Sequence, residues 1–163
     1  MTFNNYTQKS LEAVQSAQNI AVQHSNQQLE QIHLLLALLQ QERGLTPQLL
    51  QKTGVNTERL EAAAKTELQK LPAVTVSREA DRFYISPDVD ATFRAAEQQA
   101  QHMKDDFISV EHLLLALIET AKGSVKNLFE TYRITGEEAL KALQSIRGSQ
   151  RVTTDNPEST YDA

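Results

Sequence analysis

The sequence predicts an all-α protein of eight helices, arranged as two four-helix repeats related by a pseudo-twofold axis. Tryptophan is absent, aromatic residues make up 6%, and Ala, Leu, Gln and Glu dominate, a composition that favours helices over sheets. An apolar run from Ile32 to Leu39 recurs from Glu111 to Ile118, and their histidines, His33 and His112, are 79 positions apart. Such runs are long for strands and too short for a bilayer, so they predict two buried helices.

The same offset of 79 holds outside the two runs, at small or apolar positions expected on buried faces, at one glycine and at one glutamate. The matching pairs are Ala17 and Ala96, Ala21 and Ala100, Gly44 and Gly123, Leu49 and Leu128, Val55 and Ile134, Glu58 and Glu137, and Ala63 and Ala142. We therefore predict repeat one at 1–71, a connector at 72–86 and repeat two at 87–148. A groove is expected where the repeats meet.

Capping residues and helix-ending residues divide repeat one into four helices. Thr7 is predicted to cap the first helix, which fades near His24, and the second runs from Leu29 to Gln41 and is closed by Gly44. The third is a short helix that Thr46 caps before Pro47 and that Gly54 ends. The fourth runs from Asn56 or Thr57 to Leu71. The connector follows because Pro72 ends the fourth helix.

Repeat two is predicted to have four helices in the same order. Ser86-Pro87 opens the fifth, Ser109 caps the sixth, which stops near Gly123, the seventh contains Leu128 and Phe129, and Thr135 with Glu138 forms a capping box before the eighth. Residues 149–163 are rich in polar residues, Asp and Pro, and we predict a flexible linker there.

Charge and composition argue against several classes of partner and compartment. The net charge is −5 with no basic stripe, which argues against nucleic acid. The longest apolar run is about 8 residues, whereas a membrane helix needs roughly 20, so no membrane association is expected. We therefore expect a soluble protein. The chain has no cysteine, which fits a reducing compartment, so we expect it in the cytoplasm.

No sequence motif for catalysis or metal binding is present. The chain has neither the phosphate-binding loop of nucleotide hydrolases nor a nucleophile elbow, so we expect no enzymatic activity and no catalytic residues. His33 and His112 have Ala37 and Ala116 one turn later instead of a second ligand, so no metal site is expected. Both imidazoles are predicted to pack against the core and to hydrogen-bond to the backbone near a helix start.

Two polar positions have both a structural and a binding interpretation. Glu111, in the first turn of the sixth helix, is favoured by the positive end of the helix dipole whether or not it also binds a ligand. Thr7 is a good helix cap with or without a ligand.

Several motifs together resemble the amino-terminal domain of the Clp family of AAA+ chaperones, most closely the ClpB type. They are Thr7 before an Ala-spaced helix, the two His-Leu-Leu-Leu-Ala-Leu cores, Leu71-Pro72-Ala73-Val74, and the segment from Asp106 to His112. The resemblance covers about residues 1–148, and it makes 149–163 a linker towards an absent ATPase module.

This resemblance implies a non-catalytic domain that binds unfolded or aggregated polypeptide and passes it to the ATPase ring of a disaggregase. It assigns substrate binding to Thr7, Asp105 and Glu111, and less firmly to groove positions Phe93, Gln99 and His112. Apolar contacts in the groove would favour flexible segments, and Asp105 and Glu111 at its rim would favour basic ones. The full-length protein would bind ATP and Mg, form a homohexamer and work with Hsp70-type chaperones, whereas the isolated domain would be a monomer.

The alternative is the adaptor-docking domain of a ClpC- or ClpA-type unfoldase. Some ClpC proteins bind phosphoarginine through a glutamate before the histidine of each repeat. Here only the second repeat has it, as Glu111, because the first has Ile32. A paired phosphoarginine site is therefore disfavoured.

Overall fold

The computed structural model describes residues 3–74 and 84–148, which form α-helices and two isolated β-bridges. The predicted connector is described only at its ends, and the predicted linker at 149–163 lies outside the described residues. The helices are α1 (Gln8–Gln23), α2 (Gln31–Gln40), α3 (Leu45–Lys52), α4 (Thr57–Gln69), α5 (Pro87–His102), α6 (Val110–Thr120), α7 (Gly123–Thr131) and α8 (Gly136–Arg147).

The helices confirm the all-α fold and its internal repeat. The starts of α1, α2 and α4 lie 79 positions before those of α5, α6 and α8. The caps repeat as well, because Thr7 Oγ1 accepts from the Ser10 N–H at 3.2 Å and Ser86 Oγ accepts from the Val89 N–H at 3.1 Å. Two local sequences that satisfy the same free helix amides thus begin equivalent helices.

The two apolar runs form α2 and α6, as predicted. Every residue of α2 except the last is buried, and so is every residue of α6 from Val110 to Leu117. The other helices bury only one face each, which leaves α2 and α6 as the axes of a shared core. Among the described helices, none is both long and apolar enough to cross a membrane.

Two short backbone pairings cross between the repeats. Ahead of α1, the Thr7 N–H donates to the Ile108 carbonyl at 2.9 Å, and the Ile108 N–H donates to the Asn5 carbonyl at 2.8 Å. Tyr6 and Ile108 therefore form a parallel β-bridge between the start of repeat one and the residues before α6.

The second pairing is the pseudo-twofold equivalent of the first. The Ser86 N–H donates to the Leu29 carbonyl at 2.9 Å, and the Leu29 N–H donates to the Tyr84 carbonyl at 2.8 Å, so that Leu29 bridges Ile85. Because its backbone is used in this bridge, Leu29 precedes α2 instead of beginning it as predicted. We call the two pairings the crossed bridges. Residues 84–86, which the sequence placed at the end of the connector, take the position before α5 that residues 5–7 take before α1.

The glycines of the repeat have roles that differ from the predicted helix stops. Gly44 does not close α2 but is the N-cap of α3, and a Cβ there would lie 2.8 Å from the Gln41 Cβ. Gly123 is the first residue of α7, with φ +56°, and a Cβ there would meet nothing within 4 Å. The shared glycine is thus needed for close approach in one repeat and for backbone conformation in the other.

The predicted cap at Thr46 is also wrong, because Thr46 is the second residue of α3. Its side chain is fully buried, and the hydroxyl has no hydrogen-bond partner among the described residues. The equivalent residue in repeat two is Val125, which is equally buried. By contrast, Thr135 caps α8 as predicted, with Oγ1 accepting from the Glu138 N–H at 3.2 Å.

Exchanging these two equivalent residues should change stability in opposite directions. Thr46→Val removes a buried, unsatisfied hydroxyl and should leave the free energy of unfolding unchanged or raise it by up to about 1 kcal/mol. Val125→Thr buries a hydroxyl in a valine site and should lower it by about 1–3 kcal/mol. Urea denaturation of both variants measures this, and a clear loss of stability in Thr46→Val would contradict it.

Candidate functional site

A buried histidine stabilises the start of α6. His112 Nδ1 accepts from the Ser109 N–H at 2.9 Å, and His112 Nε2 lies 2.7 Å from Asp105 Oδ2. Because Nδ1 faces a backbone donor, the ring proton belongs on Nε2, which donates to the carboxylate. One imidazole thus ties the residue before α6 to the loop after α5.

Repeat one contains the same junction without a charge. His33 Nδ1 accepts from the Glu30 N–H at 2.8 Å, and Nε2 donates to Asn26 Oδ1 at 2.8 Å. The Asn26 amide also donates to the Pro72 carbonyl at 3.4 Å. The predicted packing and backbone hydrogen bonds of both histidines are therefore confirmed, with an amide in one repeat where the other has a carboxylate.

Burial, with a smaller contribution from the nearby His24, lowers the pKa of His33 from 6.5 to about 4. The geometry acts in the same direction, because protonating Nδ1 would break its bond from the Glu30 N–H. His33 is consequently neutral at physiological pH.

Repeat two surrounds its histidine with a buried charge cluster. Arg147, the last residue of α8, pairs with Asp105 and lies 3.9 Å from Glu111 Oε2. The Ser109 hydroxyl donates to Glu111 Oε1. The Asp105 and Glu111 side chains are 0% exposed and that of Arg147 is 7% exposed. We call Asp105, Ser109, Glu111, His112 and Arg147 the repeat-two charge cluster.

The expectation that Asp105 and Glu111 stand at a solvent-exposed rim is therefore wrong. Both carboxylates point into the protein, where Arg147 neutralises part of their charge. The difference between Ile32 and Glu111 is explained by the same contact, because repeat one has the apolar Leu68 at the position equivalent to Arg147.

Sequence reasoning missed Arg147. A basic residue in the last turn of an amphipathic helix is usually solvated and favoured by the helix dipole. The signal that could have found it was the offset of 79, which aligns Arg147 with buried Leu68 and Glu111 with buried Ile32. Two buried positions that change together from apolar to oppositely charged indicate an ion pair.

The structure brings only some of the predicted binding residues together. Asp105, Glu111 and His112 belong to the repeat-two charge cluster, and Thr7 is connected to it through the backbone of Ile108. Their side chains are buried, and whether they bind a ligand stays a prediction.

Phe93 and Gln99 lie outside the charge cluster, on α5. Phe93 is fully buried against Phe3 and Tyr6, with ring centroids 5.6 and 6.5 Å away. Burial raises the pKa of the Tyr6 hydroxyl, with a smaller contribution from Glu97. Gln99 is half-buried, and its amide donates to Glu119 at 3.2 Å. Of the six predicted residues, Gln99 is the one that a ligand can reach without rearrangement.

A cleft lies where the two repeats meet, as expected. Its volume is about 210 Å³, and its lining comprises Glu30, Gln31, Ile32, Leu71, Asp88, Lys122, Gly123, Ser124 and Val125. Repeat one contributes the start of α2 and the end of α4, and repeat two contributes the starts of α5 and α7. We call this the inter-repeat cleft.

Gln31 fixes the geometry of the inter-repeat cleft. Its amide donates to the Thr92 hydroxyl at 3.1 Å and to the Thr120 carbonyl at 3.0 Å, while its Oε1 accepts from the Lys122 N–H at 3.0 Å. The side chain is 4% exposed. One glutamine of repeat one thus satisfies polar groups on three segments of repeat two, and it was not singled out from the sequence.

A second cleft, of about 550 Å³, lies between the end of α6 and α7. Its lining includes Lys122, Lys126, Glu119 and Glu130, so charges of both signs face it. In the part of the chain that the structure describes, no three acidic or histidine side chains are grouped so that they could hold a metal ion.

The sequence matches the family described as the Clp repeat (R) N-terminal domain over residues 5–132. It is 42% identical to the chaperone protein ClpB of Bacillus cereus over 164 positions, which cover 100% of this chain and 19% of that protein. It is 37% identical to ClpB of Bdellovibrio bacteriovorus, covering 96% of this chain and 18% of that protein. This chain thus spans about a fifth of the length of these relatives.

Solved structures share the fold. The Hsp104 N-terminal domain of Candida albicans matches with a TM-score of 0.83 and 22% identity, covering 95% of this chain and 99% of that one. The ClpV1 N-terminal domain of E. coli matches with a TM-score of 0.74 and 18% identity, covering 96% and 92%. A ClpV N-domain in complex with a VipB peptide matches with a TM-score of 0.67 and 17% identity, covering 96% and 91%.

The low pKa of His33 predicts a loss of stability in acid. Unfolded chains protonate this histidine near pH 6.5, whereas the folded protein resists protonation until about pH 4. The contribution is complete above pH 6.5 and is lost as the pH falls from 6.5 to 4. Compared with wild type, His33→Gln should therefore lose roughly 3 kcal/mol less unfolding free energy over this interval. Urea denaturation at both pH values tests this, and parallel losses in the two proteins would contradict it.

Residues of repeat one should be able to replace the repeat-two charge cluster. Arg147→Leu alone leaves two buried carboxylates without their cation and should destabilise the fold by about 3–5 kcal/mol. Adding Asp105→Asn and Glu111→Ile copies Asn26, Ile32 and Leu68, and should recover most of that loss. Chemical denaturation at neutral pH compares the two variants. A triple variant no more stable than Arg147→Leu would show that these residues of repeat one cannot replace the cluster.

Proposed function

This chain belongs to the Clp repeat N-terminal domain family, and we propose that it is the polypeptide-binding domain of a ClpB-type chaperone. In this proposal it engages exposed segments of unfolded or aggregated protein and passes them to an ATPase ring. The remaining parts of the proposal concern the full-length protein: a cytoplasmic homohexamer that uses ATP and Mg and works with an Hsp70-type chaperone.

The inter-repeat cleft is the observation that carries the proposal. Ile32 and Val125 are buried apolar side chains in its lining, and half-buried Leu71 adds to them. A volume of about 210 Å³ is smaller than a typical ligand pocket of roughly 300–1,000 Å³. It suits one or two side chains of an extended segment better than a whole small molecule.

Charge supports a preference for basic segments. The cleft lining contains two acidic residues, Glu30 and Asp88, and a single basic one, Lys122. The chain as a whole carries a net charge of −5. Long-range attraction and the local carboxylates would therefore both favour Lys- or Arg-containing segments. Each contact would be weak, and repetition of the domain around a ring would strengthen the combined binding.

The six residues that the family resemblance assigns to binding take two roles in this proposal. Gln99 is accessible but does not line the inter-repeat cleft, so it would contact a bound segment that extends beyond the cleft. Buried Thr7, Phe93, Asp105, Glu111 and His112 would act through the segments that they position.

Docking of a defined adaptor is the second candidate function. It is favoured by the ClpV N-domain, whose fold is the same and whose structure contains a VipB peptide. Pull-down from lysate separates the two possibilities, since adaptor docking gives one stoichiometric partner and substrate capture gives a heterogeneous set of misfolded proteins.

Titration with an unfolded basic polypeptide, followed by amide chemical shifts, tests the proposal. The largest shifts should cluster around the inter-repeat cleft. Asp88→Asn, which removes one cleft carboxylate without changing its shape, should weaken binding by about threefold or more if that carboxylate contacts a cation.

Asp90→Asn is the matched control. Asp90 also lies in the first turn of α5, but it pairs with Arg94 at 2.9 Å and is not part of the cleft lining. It should change affinity much less than Asp88→Asn. Equal effects of the two variants, or shifts confined to another face, would refute binding at the cleft.

A further inference from the structure

The two repeats differ in polarity around the loop between α5 and α6. At four pairs of equivalent positions, one residue lies in or contacts this loop or the turn after it, and that residue is more polar than its equivalent. The pairs are Ser10 and Val89, Asp105 and Asn26, Glu111 and Ile32, and Arg147 and Leu68. We call residues 103–109 the α5–α6 loop.

One of these differences reinforces the loop from the start of α1. The Ile108 carbonyl accepts from the Thr7 N–H at 2.9 Å and from the Ser10 hydroxyl at 2.8 Å. At the equivalent bridge between Leu29 and Ile85, the Leu29 carbonyl accepts from the Ser86 N–H at 2.9 Å. Val89, which is equivalent to Ser10, has no hydroxyl that could donate a second hydrogen bond. The bridge into the α5–α6 loop is therefore stronger by a buried side-chain hydrogen bond.

The other three differences reinforce the loop from the end of α8. Arg147 pairs with Asp105 inside the loop and lies beside Glu111, which accepts from the hydroxyl of Ser109. Gly148 follows with φ +64°, so the helix ends immediately after this contact. The start of α1 and the end of α8 are thus held by the same short loop.

We propose that Arg147 is a positioning residue that couples the last turn of α8 to the start of α1 through the α5–α6 loop. The point at which the chain leaves the domain is then fixed relative to the point at which α1 begins. This role is independent of polypeptide binding at the inter-repeat cleft.

Stability alone does not account for the charges. Asn26, Ile32 and Leu68 close the equivalent junction of repeat one without any ion pair, and the imidazole bonds have similar lengths in both repeats. Buried ion pairs generally add little net stability over apolar residues of similar size, and in some proteins they select one geometry instead. In repeat two, the geometry that they define is that of the end of α8.

Coupling predicts that loosening one end of the loop affects the other. Ser10→Ala removes the second donor to Ile108 and the contacts of this hydroxyl with the Thr7 hydroxyl and carbonyl, but it keeps the bond from the Thr7 N–H to Ile108. The change lies far along the chain from α8. Amide hydrogen exchange of Ile146, Arg147 and Gly148 should speed up by about threefold or more, within the range of couplings between residues of one network. The 163-residue chain is used, under conditions where these amides exchange by local opening.

Two comparisons separate coupling from a general loss of stability. The last turn of α4, which is equivalent to that of α8, should not respond to Ser10→Ala. Ser86→Ala removes a side chain beside the equivalent bridge instead, where Ser86 Oγ accepts from the Val89 N–H, and it should leave Ile146 to Gly148 unchanged. An unchanged α8 end in Ser10→Ala, or an equal response at the end of α4, would overturn the proposal.

The decisive background is the triple variant Asp105→Asn, Glu111→Ile and Arg147→Leu. With the charge cluster replaced, Ser10→Ala should no longer affect the end of α8, and an effect that persists would show that Arg147 does not carry the coupling. If this variant does not fold, Arg147→Lys serves instead, because a point charge cannot pair with both carboxylates through a planar fork. In that background the response should fall to less than half of that in wild type, and an undiminished response would overturn the proposal.

Discussion

The crossed bridges are the constraint on which the rest of the structure depends. Each consists of two backbone hydrogen bonds, and together they hold the residues immediately before α1, α2, α5 and α6. Because Tyr6 pairs with Ile108 and Ile85 pairs with Leu29, the start of each central helix is positioned by the opposite repeat. The core is therefore shared, and the inter-repeat cleft lies within one packed unit instead of between two separable ones.

The sequence was sufficient for the features that depend on local chemistry. Caps at Thr7, Ser86 and Thr135 satisfy amides within their own helices, and the apolar runs of α2 and α6 are continuous in the chain. Pairing between repeats was not predictable, because a single bridging residue has no strand-length pattern. The predicted cap at Thr46 was wrong for a related reason. Thr-Pro is typical of a helix start, but packing against the core placed the start of α3 at Leu45.

The candidate site shows a similar division. The sequence correctly identified Glu111 as the residue that distinguishes the two repeats, but a charged residue in a first helical turn gave no indication of its burial. Its partner Arg147 lies 36 positions away, at the end of another helix, and only comparison of equivalent positions connects the two. The acidic cleft residues Glu30 and Asp88 were likewise unremarkable in sequence, because their proximity depends on how the two repeats pack together.

The reciprocal form of the crossed bridges has a consequence for the origin of the fold. The two bridges are equivalent, and in each one the backbone of one half pairs with the backbone of the other. A twofold homodimer with isologous contacts has the same arrangement. A single ancestral repeat could have formed the same backbone hydrogen bonds, before its first and second helices, by pairing with a second copy. Joining two copies in one chain would then have freed each half to change separately. The neutral junction at Asn26 and the charged one at Asp105 are the kind of divergence that a symmetric dimer could not have acquired.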